Sequence, residues 1–427
     1  MRRLGGVIRA AMAHPYLDLL RDRPVRVLWM GLSVSALGTE LYRVGAIWLA
    51  AELAGPKAAL LVTAQSVAVF AVSVFGGPVA EALPRRRLLM SASLVSATVS
   101  LAVVVAAART GLTFPMLVAA GVLLAATGAL SQPVFLSSLP ALAPAERLRP
   151  LNGLVDSTIR IAQALGPFLA AAAMGLVSAL HLLAANAVSF LASAASFAIA
   201  GRRLDGDARA PAPPTDLLRR LSRGATAASA TPGVWSALIA TGVRGGAYAL
   251  GFTVAVPVLF AGREDGAGLG AVALVFGAAA AAELVSGPVL VLAQPARPLR
   301  RQFEGYAMIG AGLAAVGAAA SLPSSWQIPA MTACAFLMGI GNAVAGLQMM
   351  TFFGARLERD DYAAVLRLRL VLVIGAMALA TGAGPIILAS LGPAGTTMAC
   401  GIAAAAAALW GLFGRPARTL GPDFQPV

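Results

Sequence analysis

The sequence predicts an all-α membrane protein with twelve transmembrane helices in two pseudo-symmetric six-helix bundles. Three observations predict it. The first is composition: 59% of the 427 residues are hydrophobic and only 12% are charged. A soluble domain carries roughly 25% charged residues, so lipid must cover much of this chain. The second is the recurrence of apolar runs long enough to cross a bilayer, for which about 20 residues suffice. The third is the placement of the arginines, which cluster in alternate loops.

Taken in order, the spans are read at 27–51, 58–80, 88–108, 113–137, 150–178, 179–200, 234–261, 267–292, 304–322, 327–353, 364–391 and 394–414. None alternates polar and apolar residues as a barrel strand would. Residues 1–26 carry six arginines and no long apolar core, so they read as a cytoplasmic N-terminal segment rather than a cleaved signal peptide. Residues 27–200 form the N-terminal six-helix bundle and 234–414 the C-terminal one. Between them 201–233, with Pro211, Pro213 and Pro214, reads as a cytoplasmic linker with a short surface helix around Asp216 to Arg223. Residues 415–427 are a cytoplasmic tail.

Basic residues in short loops mark the cytoplasmic side. With the N-terminus inside, the inner segments hold Arg85, Arg86, Arg87, Arg147, Arg149, Arg297, Arg300, Arg301, Arg356 and Arg359 beside those of the tails and linker. Arg367 and Arg369 open the eleventh span on the same side. The outer loops hold only Lys57, Arg109 and Arg263. The reading is thus a multi-pass protein of the cell (plasma or inner) membrane with both termini cytoplasmic.

The halves echo each other. Trp29 and Trp235 are 206 residues apart, as are Tyr42 and Tyr248. Ala54-Gly55 matches Ala261-Gly262 at 207, Gly77-Pro78 matches Gly287-Pro288 at 210, and Gly166-Pro167 matches Gly384-Pro385 at 218. A growing offset is what loop insertions in a six-plus-six duplication produce.

The same residues exclude several functions. The formal charge of +14 sits in blocks between apolar runs, unlike the basic face of a nucleic-acid binder, so no nucleic-acid partner is expected. Cys334, Cys400, His14 and His181 have no metal-site spacing, and no metal or other cofactor is expected. No phosphate-binding Gly-Lys-Ser/Thr loop occurs, nor a paired catalytic Asp motif or a Ser–His arrangement, so the chain does not read as an enzyme.

Between the second and third spans stands Gly77-Pro-Val-Ala-Glu81-Ala-Leu-Pro-Arg85-Arg86. It resembles the loop motif Gly-x-Leu-Ala-Asp-Arg-x-Gly-Arg-Lys of the major facilitator superfamily. Glu81 replaces the Asp, Ala82 removes an Arg, and Pro84 replaces a Gly. In the fifth span Ala162-Gln-Ala-Leu-Gly166-Pro167-Phe-Leu-Ala170-Ala171 is similar to that superfamily's Gly-x-x-x-Gly-Pro-x-x-Gly-Gly motif, found in exporters of the antiporter type. The stretch from Leu139-Pro140 through Glu146-Arg147 and Asn152-Gly153 to Gly166-Pro167 resembles the twelve-span drug and siderophore efflux subgroup that includes the enterobactin exporter. The resemblance implies the major facilitator fold, a cavity bounded by spans one, four, seven and ten, and a gating role for Gly77, Glu81, Arg85 and Arg86. An ordinary positive-inside loop is the plainer reading of those four. Gly166, Pro167, Gly384 and Pro385 are a helix-packing motif in which small residues permit close approach and proline bends the helix.

Ionisable residues at membrane depth are costly and mark function by default. Glu40 and Arg43 are three apart on one face of span one. Asp156 and Arg160 are four apart on span five, in a polar stripe with Asn152 and Gln163. Arg244, with Thr241 and Tyr248 on its side, lies in span seven and Glu283 in span eight. Neither has an opposite charge one turn away. Glu40, Glu283 and Asp156 are the proton-coupling candidates, because a carboxylate can take up a proton and change its pairing with Arg, which keeps its own. Static charge neutralisation between helices is the alternative. Arg43, Arg160, Gln163, Arg244, Tyr248, Gln132, Asn342, Gln348 and Met349 are candidates to line a substrate cavity, with Met350, Phe352 and Phe353 beside them. Mobile Met and aromatic side chains suit varied apolar ligands.

The expected activity is secondary active transport by alternating access, in the form of proton-coupled efflux of amphipathic or hydrophobic small molecules. The expected partners are that small-molecule substrate, protons and the lipid bilayer, with the chain a monomer. Two alternatives stay open: a lipid or lysolipid flippase on the same fold, and a non-transporting membrane sensor or scaffold.

Overall fold

A computed structural model describes residues 15–174, 176–204, 217–261, 268–292 and 297–414. His14, the linker prolines, Asp216, Arg263 and the tail arginines Arg415 and Arg418 lie outside them, as does the side chain of Glu81. The described chain is helical: α1 Pro15–Leu20, α2 Arg23–Ala54, α3 Ala59–Phe75, α4 Gly77–Ala82, α5 Arg85–Thr110, α6 Phe114–Ser138, α7 Ala145–Met174, α8 Ala179–Ala200, α9 Leu217–Ala230, α10 Val234–Ala247, α11 Ala255–Ala261, α12 Gly268–Leu292, α13 Pro298–Ala319, α14 Ser324–Arg356, α15 Arg359–Gly382 and α16 Gly384–Phe413. Hydrocarbon offers no hydrogen bonds to a bare backbone, so each apolar run must satisfy its own amides as a helix. Nine segments among the described residues are long and apolar enough to cross a membrane. The first, Arg23–Phe75, contains both α2 and α3, joined by the 3-10 turn Gly55–Ala58 with Gly55 at φ +52°. The long helices α7 and α13 are not among the nine.

The Gly-Pro pairs act in two ways. Gly77-Pro78 and Gly384-Pro385 each start a new helix after a break, since proline has no amide to continue the one before it. The predicted eleventh span, 364–391, is accordingly divided at Ala383, and the chain turns again at Gly392, whose φ of +67° precedes Pro393. Gly166-Pro167 instead lies inside an unbroken α7. Between α10 and α11, residues Tyr248–Val254 wind as a π-helix.

Two compact units emerge. The first comprises 1–45, 71–166 and 173–211, the second 46–70, 167–172 and 212–427. In the first, α2 lies on α8 through glycines seven residues apart. Gly31 faces Ser196, Gly38 faces Ser189 and Asn186, and Gly45 faces Leu182. The partners also step by seven, as expected where two helices run side by side. An apolar core including Leu28, Leu88, Leu89, Val134, Leu139 and Val155 fills the end of this unit near Leu19 and Leu204.

In the second unit glycines again bring backbones together. A Cβ on Gly305 of α13 would meet the Gly341 carbonyl of α14 at 2.7 Å, and one on Gly246 of α10 would meet the Ala376 carbonyl of α15 at 2.8 Å. The unit also takes in the far ends of the first two predicted spans. Trp48 lies against Gly268, Ala59 against Gly384, and Thr63 is bonded to Thr381 at 2.9 Å. Phe168 of α7 packs on Gly277 of α12. The linker helix α9, expected around Asp216 to Arg223 and found at Leu217–Ala230, is tied to the start of α15. Arg223 pairs with Asp361 at 2.9 Å and with Asp360 at 3.6 Å. The hydrogen bond to Asp361 raises the Arg223 guanidinium above its ordinary pKa.

The α2–α8 seam can be tested by volume alone. Gly38→Val should destabilise the protein by about 1–3 kcal/mol through overpacking. Gly128→Ala, whose Cβ would enter open space, should leave thermal unfolding in detergent unchanged.

Candidate functional site

The sequence candidates fall into two groups, one in each unit. In the first unit Glu40 is buried at 6% exposure and bound to Arg43, with Oε2 and Nη2 2.5 Å apart. Arg43 itself is exposed. The i, i+3 spacing delivers this contact with no help from other helices. What the spacing could not show is the floor under Glu40. Gly166 of α7 lies directly against the Glu40 Cβ, and a side chain at 166 would collide with it. The glycine of the Gly-Pro motif and the buried acid of span one are therefore one contact.

Asp156 and Arg160 also pair, at 2.8 Å, with both side chains exposed. Asn152 is exposed on the same helix and Gln163 is half-buried. α7 is held to α2 by the Trp29 indole, which donates to Thr158 at 2.9 Å. Gln132 on α6 is exposed, next to Pro133 inside that helix. In the loop motif Gly77 is exposed. Arg85 donates to the Ser137 carbonyl at 3.4 Å and Arg86 to the Ala198 carbonyl at 3.2 Å. Each arginine thus supplies a donor to the last turn of a helix, where carbonyls lack intrahelical partners.

The second group is centred on Asn342 of α14. Its Nδ2 donates to Glu283 Oε2 of α12 at 2.6 Å, and its Oδ1 accepts from Arg244 Nη1 of α10 at 3.1 Å. One amide thereby connects the acid of span eight to the arginine of span seven. The Arg244 guanidinium also lies over the Tyr306 ring, 5.8 Å from its centroid. Tyr306 of α13 shares a hydrogen bond with Thr241 at 2.8 Å and accepts one from Gln302 at 3.3 Å. Met349 offers its sulfur to both hydroxyls. Gln348, Met349, Phe352 and Phe353 are buried, whereas Met350 is exposed and bonded by Tyr362. Tyr248 packs against Phe252 with the rings tilted and their centroids 5.1 Å apart, at the start of the π turn. Gly384 packs against Ala59 and Leu250, away from this group.

Three members were missed in the sequence. Gln302 and Tyr306 are one turn apart at the start of α13, and that spacing was a usable signal, although Arg301 and Glu304 beside Gln302 masked it. Arg369 was assigned to the rim of the eleventh span. Because α15 begins at Arg359, five residues before the expected start, Arg369 is instead ten residues into the helix and partly buried.

The geometry is that of helices carrying a few paired charges. Comparison gives it a family: the Major Facilitator Superfamily profile matches residues 28–365. The chain belongs to the major facilitator superfamily. It is an integral, multi-pass membrane transporter with the fold of that superfamily. A crystal structure of a bacterial homologue of the iron transporter ferroportin in an inward-facing state superimposes with a TM-score of 0.68, covering 91% of this chain and 98% of that one at 16% sequence identity. No curated protein matches the sequence.

Within this superfamily member, Asn342 gives the sharpest structural test. Asn342→Ala would strip a donor from Glu283 and an acceptor from Arg244 at once. A loss of about 1–3 kcal/mol is expected for a buried polar group left unpaired, read as a lower unfolding temperature in detergent. In a double-mutant cycle with Arg244→Gln the two losses should be clearly less than additive.

Proposed function

We propose that the chain works by alternating access as a proton-coupled exporter of amphipathic or hydrophobic small molecules, of the drug or siderophore type. The observation that carries this is the Glu40 site. A carboxylate 6% exposed in an apolar span is held by a single arginine of its own helix and rests on the glycine of the exporter-type motif. Protonating Glu40 removes the charge that binds Arg43. A displacement of α7 past α2 changes the room beside the same carboxylate. Proton occupancy and helix position are therefore linked at one contact, as coupling between a driving ion and a two-state transporter requires. Glu283 and Asp156 remain secondary candidates. The moving bodies are taken to be the bundles 27–200 and 234–414, with both termini and the linker cytoplasmic and the protein acting as a monomer.

Iron, the cargo named for the ferroportin relative, is not carried over.

The test is transport into proteoliposomes under an imposed pH gradient, with a panel of labelled drugs, siderophores and lysolipids. For a transported compound, Glu40→Gln should lower gradient-driven accumulation by about tenfold or more, while exchange without a gradient persists. Gradient-driven accumulation by Glu40→Gln equal to that of the unmodified protein would sink the assignment. Gly166→Leu should impair both modes, since it crowds Glu40 whatever its protonation.

A further inference from the structure

Arg369 stands in an unusual electrical position. From Tyr362 to Phe413 the sequence contains no Asp or Glu, so α15 beyond its first turn and all of α16 offer it no counter-charge. Its Nε is buried and has no hydrogen-bond partner among the described residues. The groups that act on it electrostatically are Tyr306, Tyr362 and Arg244. Two of these are phenols and the third is a like charge. Arg244 has the same defect: one Nη is bonded to Asn342, yet its Nε is also buried without a partner.

The placement is built rather than loose. Gly245 and Gly246 let α10 approach α15 at Val373 and Ala376, which sets Arg244 beside that seam and Arg369 just before it on the facing helix. The Tyr306 ring lies under the Arg244 guanidinium, and Arg369 is within electrostatic range of both. Two guanidiniums on facing spans repel each other, and Asn342 and the Tyr306 ring replace only part of the hydration that Arg244 forfeits. An anion between them turns the repulsion into two attractions and gives the idle N–H groups an acceptor. Guanidinium forks fit carboxylate and phosphate oxygens.

We infer that Arg244 and Arg369 together bind the acidic group, a carboxylate or a phosphate, of an otherwise apolar cargo, an assignment that rests on the transporter reading above. Tyr306 and Thr241 present hydroxyls next to that group, and Met349 lies beside them as an apolar wall. The cargo is then an acidic amphiphile, and the two arginines determine the charge it must carry.

Binding to the purified full-length protein separates this inference from the transport reading. The probes are N-dansyl-alanine, its neutral amide, and dansyl-cadaverine, which share one fluorophore and differ in charge. The unmodified protein should hold N-dansyl-alanine about tenfold or more tighter than the amide. Arg369→Gln should abolish that preference while leaving binding of the amide unchanged, which shows the site still folded. Arg369→Lys should restore part of it. Displacement of N-dansyl-alanine by lysophosphatidic acid would support a lipid phosphate as the acidic group, and resistance to displacement a soluble carboxylate. Equal affinity for acid and amide, tighter binding of dansyl-cadaverine, binding of no probe, or a preference that survives in Arg369→Gln would each overturn the inference. An acid preference lost in Arg369→Gln, in a protein that moves no probe across proteoliposomes, would uphold the binding site and count against transport.

Discussion

A polar group in hydrocarbon has no solvent to fall back on, and this one constraint arranges the molecule. It forces the backbone into helices. It also removes most of the hydrophobic drive that would hold those helices together, since lipid is as apolar as leucine. What remains is close contact and the occasional polar bond. Both are visible: the glycine ladder of α2 on α8, the backbone approaches of α13 with α14 and α10 with α15, and single bonds such as Trp29 to Thr158 and Thr397 to the Gly251 carbonyl.

The same constraint explains why function concentrates at few residues. Each charge kept within a span must be answered locally, and the answers differ. Glu40 is answered by its own helix, Glu283 and Arg244 by an amide between them, and Arg85 and Arg86 by helix-end carbonyls. A charge answered within one helix travels with that helix. A charge answered across helices resists their separation. The distinction separates the Glu40–Arg43 pair, which moves with α2, from Asn342, which braces α10, α12 and α14.

Local features of this arrangement were legible in the sequence. Apolar run length located the helices, and the i, i+3 and i, i+4 spacings found the Glu40–Arg43 and Asp156–Arg160 pairs because such neighbours are fixed by helix geometry. The predicted spans 58–80 and 364–391 ran through the Gly-Pro pairs at 77 and 384, where the helices in fact break, whereas the pair at 166 lies inside one helix. Long-range partners were not legible. Asn342 is 98 residues from Arg244 and 59 from Glu283, and no periodicity of one helix reports on another. The glycines at 31, 38 and 45 did carry a signal, a seven-residue step, which merges into the background of a chain with 45 glycines. Arg369 was read as opening a span from 364, whereas the helix begins at Arg359 and Arg369 is partly buried ten residues into it.

The π-helical stretch at Tyr248–Val254 changes how the seventh span must be read. A π turn holds about one residue more than the α turn it replaces. Every side chain beyond it is therefore rotated by about 100° from the position that uninterrupted winding would give. A helical wheel drawn from Val234 to Ala261 superimposes two phases that the molecule keeps apart. Thr241 and Arg244 belong to one azimuth scale, Val256 and Phe260 to another. The span behaves as a dislocated rod: α13 and α15 meet it at α10 and α12 meets it at α11, while α16 runs along both parts.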